Sequence, residues 1–294
     1  MDPDRKKMSK SKGNVVTPLH LLDEYSADGV RYWAASARLG VDTAFDDKVF
    51  KVGRRLVTKL YNAAKFVLSQ AAEVHPITHE LDRAFVHELK ALVDKTTAAH
   101  EDFAYGVALL DTEQFFWSRF TDTYLELAKT RAWGGDGVSA AAQGSAVAAL
   151  RLGLSVLLRL FAPVLPYITE EIWSWVFAEE TGAASIHCSA WPAATDFSAA
   201  PAPDNAESLE IAIAAIAAIN KAKADAAVSV GRPVTSLTLA ASAQTFSAVA
   251  SVLEDVLSAT RTRDHRLVED ASLPPHTFVA QHVEFAEAEP KSSS

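Results

Sequence analysis

From Asp46 onward, Val49, Val52, Leu56, Leu60, Ala63 and Val67 recur at three- and four-residue steps, which marks one continuous apolar stripe of an extended helix. A stripe of that length has to be buried against other elements. Further helical patterns run over about 80–100, 105–133 and 139–161, the last two separated by a turn at Gly134, Gly135 and Gly137. Four long amphipathic helices in succession predict a helical bundle. Pro163 and Pro166 interrupt the chain, and Ile168, Ile172, Trp173 and Val176 then supply one more helical set that closes the bundle.

The flanks read differently. Residues 6–14 are short, basic and rich in small polar side chains, without helical or strand periodicity, and so form an exposed loop. Thr17 and Pro18 are an N-cap and first helical residue ahead of Leu19, Leu22 and Tyr25; the pattern restarts at Ser26 and carries Val30, Trp33, Ala34 and Ala37 until Gly40, which predicts two short helices. Residues 195–205 are rich in Ala, Pro, Ser and Asp and read as a linker. Beyond it, Leu209, Ile213, Ile216, Ile219 and Lys223 suit a helix and residues 234–240 alternate like a strand. Residues 246–257 look helical, and strand-like pieces lie near 266–268 and 277–285. The expectation is a mainly α chain with a small α/β C-terminal module: 1–45 ahead of the bundle, 46–192 as the bundle, 193–207 as the linker, and 208–290 as the module.

Several function classes drop out. The apolar run at 150–165 is broken by Arg151, Arg159 and Pro163, so no membrane span is expected, and the charged N-terminus lacks the apolar core of a secretory signal. Cys188 is the sole cysteine, which excludes an intramolecular disulfide and argues against a thiolate zinc site. His20, His75, His79, His87 and His100 show no metal-ligand spacing, so no protein-bound metal is expected. A cytoplasmic, monomeric protein fits best. The formal charge of −9 argues against a nonspecific nucleic-acid coat, leaving room for local basic patches.

Lys7-Met8-Ser9-Lys10-Ser11 carries the clearest chemistry. Two ammonium groups beside small hydroxyl residues can wrap a polyphosphate and stabilise negative charge that develops on it, as a mobile lid would. On composition alone such a stretch is more often a solvated tail. There is no Gly-x-x-x-x-Gly-Lys-Ser/Thr phosphate loop. The full run from Arg5 to Pro18 resembles the KMSKS signature of class I aminoacyl-tRNA synthetases with its usual continuation. Tyr25-Ser26-Ala27-Asp28-Gly29-Val30-Arg31-Tyr32 is similar to the YGADALR stretch that follows it in the valine, isoleucine and leucine enzymes, with Ser26 and Gly29 as departures. Phe45-Asp46-Asp47, Arg54, Lys59-Leu60-Tyr61-Asn62-Ala63 and Phe66 resemble the entry to the anticodon-binding domain of the valine group. Residues 116–129 and 161–173 are similar to further signatures of that domain, so the resemblance reaches about residue 192 and implies that 1–45 is the tail of the catalytic domain with its KMSKS loop and 46–192 the anticodon-binding helical bundle.

The resemblance implies ATP as substrate, accompanied by Mg2+, with Lys10 as the foremost ATP contact, Lys7 supporting it, and Ser9 and Ser11 as weaker contacts. It implies activation of valine to an adenylate and transfer to tRNA(Val). The HIGH signature, nucleotide-binding sheet and editing insertion, which the family places before this loop, are not found, so the chain alone is expected not to aminoacylate. The basic coiled-coil arm expected at the end is replaced by the α/β module. Lys51, Arg55 and Lys59, four residues apart, place three charges on one side of the first long helix, where they could track phosphates or form ordinary ion pairs such as Asp47 with Lys51. Trp117, Phe120 and Tyr124 could stack on bases or pack in the core, and helical spacing favours the core. Arg119, Lys129 and Arg131 are further phosphate candidates, because charged groups seldom stay buried. Lys221, Lys223, Arg232, Arg261, Arg263 and Arg266 could touch RNA if they cluster. Two other readings stay open: a stand-alone tRNA-binding protein with a vestigial loop, and an isoleucine or leucine ligase portion.

Overall fold

The structure is a computed structural model, and it describes residues 1–2, 5–70, 73, 75–135 and 137–287, apart from the side chain of Lys10. The chain forms two compact units: Met1–Ala71, Leu89–Phe120 and Leu150–Ser198 make the first, and Ala72–Glu88, Thr121–Ala149 and Ala199–Ser294 the second. Among the described residues, helices α1 (Leu19–Ala35), α2 (Asp47–Leu68), α3 (Glu80–Glu101), α4 (Tyr105–Gln114), α5 (Leu125–Trp133), α6 (Ala140–Phe161), α7 (Pro166–Trp175), α8 (Phe177–Thr181) and α9 (Ser208–Asp225) precede strand β1 (Val234–Ala241). Helices α10 (Ala243–Val249) and α11 (Leu253–Thr260) and strands β2 (Thr262–Glu269) and β3 (Val279–Phe285) complete the order. The mainly α reading with a small α/β module holds.

In the first unit, α2 begins where Asp46 accepts the Lys48 N–H at 2.9 Å; Leu56, Leu60, Ala63 and Val67 of the expected stripe are buried together with Phe50 and Ala64, whereas Val49 is half-buried and Val52 exposed. α1 is two helices joined at Ser26, whose φ of 67° breaks the helical run at the restart expected from the sequence. Its second half lies so close to α2 that a Cβ on Gly53 would sit 2.8 Å from the Tyr32 ring. Phe50 stacks between Tyr25 and Trp33, with centroids 5.5 and 5.2 Å away.

The motif around Tyr25 and the one around Pro163 prove to be each other's partners. Asp28, buried, accepts the N–H groups of Tyr167 at 3.2 Å and Ile168 at 2.8 Å and so caps α7, whose entry at Pro166 offers no local cap. Burial pushes the Asp28 carboxyl above its ordinary range despite those hydrogen bonds and the nearby Arg31. Arg31 donates to the carbonyls of Pro163 at 2.9 Å and Val164 at 3.1 Å, and the Tyr32 hydroxyl donates to Glu113.

One expected helix over 105–133 is instead three stretches. Between α4 and α5 the chain makes a π-helical segment, Phe115–Tyr124, whose wider turn keeps Phe116, Phe120 and Tyr124 wholly buried. Core packing therefore accounts for Phe120 and Tyr124. α6 has the length and hydropathy of a membrane span, contrary to the expectation that no stretch would; 72% of its most apolar window is buried within the protein, so packing explains its apolar character.

The second unit adds buried ions to an apolar stripe on α9 that buries Leu209, Ala212, Ala215 and Ile219. Glu80 accepts the N–H groups of Asp204 and Asn205, each at 2.9 Å, and the Ser208 hydroxyl at 2.8 Å, so the Pro- and Ala-rich stretch before α9 is pinned in place. The expected single helix over 246–257 divides into α10 and α11. These two helices make the crossover that lets β1 and β2 run parallel, paired from Val234 with Thr262 to Ala241 with Glu269, while β3 lies antiparallel on the other edge of β1. α9, α10 and α11 pack together beside this three-stranded sheet.

Candidate functional site

The N-terminal loop is a folded hook rather than a free tail. Asn14 receives the Ser9 N–H at 3.0 Å and donates to Asp2 at 2.8 Å and to the Lys7 carbonyl at 3.3 Å. Asp2, buried, also accepts the Lys6 N–H at 2.7 Å. Lys10 opens a short 3-10 turn, Lys10–Lys12, and Gly13 leaves it with a φ of 68° that favours glycine. Lys7, Ser11 and Lys12 project exposed from this frame, Ser9 is half-buried, and the Ser9 and Ser11 hydroxyls lie 3.3 Å apart. The side chain of Lys10, the foremost candidate, lies outside the described residues. The hook thus fixes its base and leaves cationic and hydroxyl groups outward, which suits a flexible contact to phosphates.

A second feature of the same unit lies on α2. Arg54, Arg55, Thr58, Lys59, Asn62 and Trp117 line a cavity of about 310 Å3. The Lys59 ammonium sits 5.3 Å from the Trp117 ring centroid, and the Trp117 N–H points to Glu113 at 3.3 Å. Arg54 donates to the Glu24 carbonyl at 3.1 Å. Lys51 is exposed one helical turn before Arg55. A half-buried aromatic beside several cations can accept a stacked base and its phosphate together. Arg54 was not foreseen as part of this group, although its spacing of three from Lys51 and four from Thr58 puts it on the same side of the helix. A larger opening of about 790 Å3, lined by Ala34, Leu39, Phe103, Tyr105, Val107 and Pro163 among others, is mostly apolar.

The remaining candidates scatter. Arg119 is half-buried in the first unit, and Lys129, in the second, is half-buried 3.4 Å from Glu126. Arg131 is not at the surface. Its guanidinium donates to Asp82 at 2.7 and 2.9 Å and to Asp255 at 2.7 Å, with both carboxylates buried. The rule that charge stays outside fails here because two acids meet the arginine inside, so Arg131 leaves the set that could touch a phosphate.

Residues 82–238, just over half of the 294, match the family described as the anticodon-binding domain of tRNA ligase. The chain belongs to that family. Residues 1–46 match a second family, class I tRNA synthetases (I, L, M and V). The valine--tRNA ligase of Thermobifida fusca (strain YX) is 47% identical over 244 residues, covering 81% of this chain and 27% of that protein. The valine--tRNA ligase of Leifsonia xyli subsp. xyli is 44% identical over 280 residues, covering 93% of this chain and 31% of its own length. A solved LeuRS–tRNA–LeuAMS complex from Agrobacterium radiobacter K84 aligns with a TM-score of 0.41 at 18% identity over 96% of this chain and 32% of its own, too loosely to carry an argument. The chain thus spans about a third or less of the curated relatives it matches.

Proposed function

We propose that this chain is the C-terminal portion of a valine--tRNA ligase, supplying the ATP-facing loop and the surface that grips the anticodon arm of tRNA(Val). The observation that carries this reading is that curated valine ligases align at 40–47% identity over 81–98% of the chain. The overall reaction joins valine to tRNA at the expense of ATP. A carboxylate oxygen of valine attacks the α-phosphorus, pyrophosphate leaves, and a hydroxyl of the terminal ribose then displaces AMP from the adenylate. Lys7 and Lys10 would close on the phosphates as charge builds on the departing pyrophosphate, with Ser9 and Ser11 donating hydrogen bonds. Mg2+ would come with the ATP phosphates and would supply further neutralisation of that charge. The hook held by Asp2 and Asn14 gives the lysines a fixed base from which to swing. On α2, Lys51, Arg55 and Lys59 would meet phosphates while Trp117 offers a face to an unpaired base.

Binding of the purified chain to valine, isoleucine and unrelated tRNA transcripts at several salt concentrations tests the RNA half of this reading. A preference for the valine transcript that persists at higher salt supports it; equal binding of all three, collapsing as salt rises, refutes anticodon reading by this chain. For the ATP half, the chain is mixed with the preceding portion of the Thermobifida ligase. Valine-dependent ATP–pyrophosphate exchange should appear and fall about 100-fold with Lys10→Ala. Tight tRNA binding without any exchange would favour a stand-alone tRNA-binding protein instead.

A further inference from the structure

The basic residues of the final segment do not share one fate. Lys221 is neutralised by Asp225 at 2.7 Å. Lys223, Arg232 and Arg261 instead converge on one corner of the second unit. Lys223 is wholly buried and donates to the carbonyls of Val230 at 2.7 Å and Thr260 at 2.8 Å. Arg261 donates to the carbonyl of Gly231 at 3.3 Å, and Arg232 to that of Ala286 at 3.2 Å. Main-chain hydrogen bonds from Val234 to Arg261 and from Ala286 to Pro233, each at 3.0 Å, tie the loop 228–233 to the end of α11 and the end of β3.

All three cations therefore rest on carbonyl dipoles, which orient a positive charge without cancelling it. Among the described residues none of the three makes an ion pair, and neither do Arg263 and Arg266 on the exposed strand β2. Burial lowers the affinity of Lys223 for its proton, and the charge of Arg261 lowers it further. The acids of the same segment do not pair with these cations: Asp225 holds Lys221, Glu284 accepts from Ser236, and Asp264 and Glu287 are exposed along β2 and after β3. Arg261 also occupies the left-handed position after α11, with a φ of 55°. Glycine is the residue that position favours, and the strain of an arginine there points to a use for its side chain. On a chain of net charge −9, this corner gathers three cations that make no ion pair among the described residues.

We propose that this corner is a second contact for the tRNA phosphate backbone, made by the Arg232 and Arg261 guanidinium groups with Lys223 fixed behind them. Each arginine has donors left over after its single carbonyl contact, in the fork that suits a phosphate. The proposal rests on the reading that the chain binds tRNA, and adds to it a contact that carries no sequence preference.

The full chain is titrated against labelled tRNA(Val) transcript between about 50 and 200 mM salt, as wild type and as Arg232→Gln/Arg261→Gln. The double variant should bind about tenfold more weakly at the low-salt end. Its slope of log affinity against log salt should fall by roughly 1.5, the loss of two phosphate contacts at about 0.7 to 0.9 each. The ratio between valine and isoleucine transcripts should stay at the wild-type value. Arg261→Gly separates charge from folding, because glycine accepts φ 55° more easily: it should melt no lower than wild type and still bind more weakly. Lys221→Gln should bind as wild type does. Wild-type affinity and slope in the double variant, beside weakened binding in Arg55→Gln/Lys59→Gln, would overturn this contact and leave the anticodon reading standing. A wild-type chain that does not bind tRNA at all would refute both.

Discussion

Replacing Arg131 by methionine removes the one positive charge among two buried carboxylates and leaves their surroundings closed. Asp82 is fully buried and keeps hydrogen bonds from the Ser145 hydroxyl at 2.7 Å and the Tyr124 hydroxyl at 2.8 Å. Asp255 fares worse: one oxygen depends on Arg131, and the other has no hydrogen-bond partner and lies 3.7 Å from His79 Nδ1, itself unpartnered. A unit charge pair about 4 Å apart at an effective dielectric near 20 interacts by about 4 kcal/mol. Breaking a buried pair from one side costs about 3–5 kcal/mol. The loss should therefore be about 3–5 kcal/mol at pH 7.5.

The pH dependence has a definite sign. In the native protein burial pushes the Asp82 carboxyl up, but the charge and hydrogen bonds of Arg131 outweigh it and hold the group below its ordinary range. That contribution to stability is present at neutral pH and is lost as the pH falls through the depressed value. Burial keeps Asp255 above its ordinary range even with Arg131 beside it. Without the arginine both carboxyls rise, so the folded variant holds protons that the unfolded chain releases, and its stability recovers as the pH falls. His79, held below its ordinary value by burial first and by Arg131 second, becomes easier to charge and adds to that recovery. The deficit should thus shrink by at least about 1 kcal/mol, roughly one pK unit, between pH 7.5 and 5. Urea unfolding followed by circular dichroism at the two pH values gives the total. Peptide-level hydrogen exchange should place the loss in α5 and α11. A deficit below about 1 kcal/mol at pH 7.5, well under the cost of unpairing a buried charge, or one that grows as the pH falls, would refute the reasoning.

Other perturbations follow from the same contacts. Gly53→Ala places a Cβ 2.8 Å from the Tyr32 ring, so overpacking of about 1–3 kcal/mol should outweigh the gain of about 1 kcal/mol in helix preference and lower the melting temperature; a rise would mean that α1 and α2 can separate freely. Asp28→Ala leaves the Tyr167 and Ile168 N–H groups without their acceptor and should cost about 1–2 kcal/mol in urea unfolding. Asp28→Asn tests the raised carboxyl. Wild-type stability gains from that group's extra proton at low pH and loses the gain as the pH rises through the raised value, so the Asn variant should show a flatter profile there. Arg55→Gln/Lys59→Gln should lower the salt slope of tRNA binding by roughly 1.5, and an unchanged slope would remove the α2 groove from the RNA surface.

What could be read from the sequence was what its neighbours in sequence determine. The restart at Ser26 and the stripe on α2 from Leu56 to Val67 depend on residues a few positions apart and were legible, whereas Val52 of the expected stripe is exposed and Phe50 is buried in the turn before it. The motifs around Tyr25 and Pro163 were legible as separate signatures, but not as a cap and its helix, because Asp28 and Ile168 are far apart in the chain and nothing local links them. The basic residues make the physical point most directly. Arg55, Arg131 and Arg261 carry the same group, and what each can do depends on what the fold sets opposite it. Opposite Arg131 are two carboxylates, so its charge is consumed in holding α5 against α11. Opposite Arg261 is a carbonyl, which positions the guanidinium but leaves its charge to act outward. Arg55 lines a cavity together with Arg54, Lys59 and a half-buried tryptophan. Spacing along a helix shows which arginines share a side; only the acceptors supplied by distant segments decide which of them still has charge to offer a ligand.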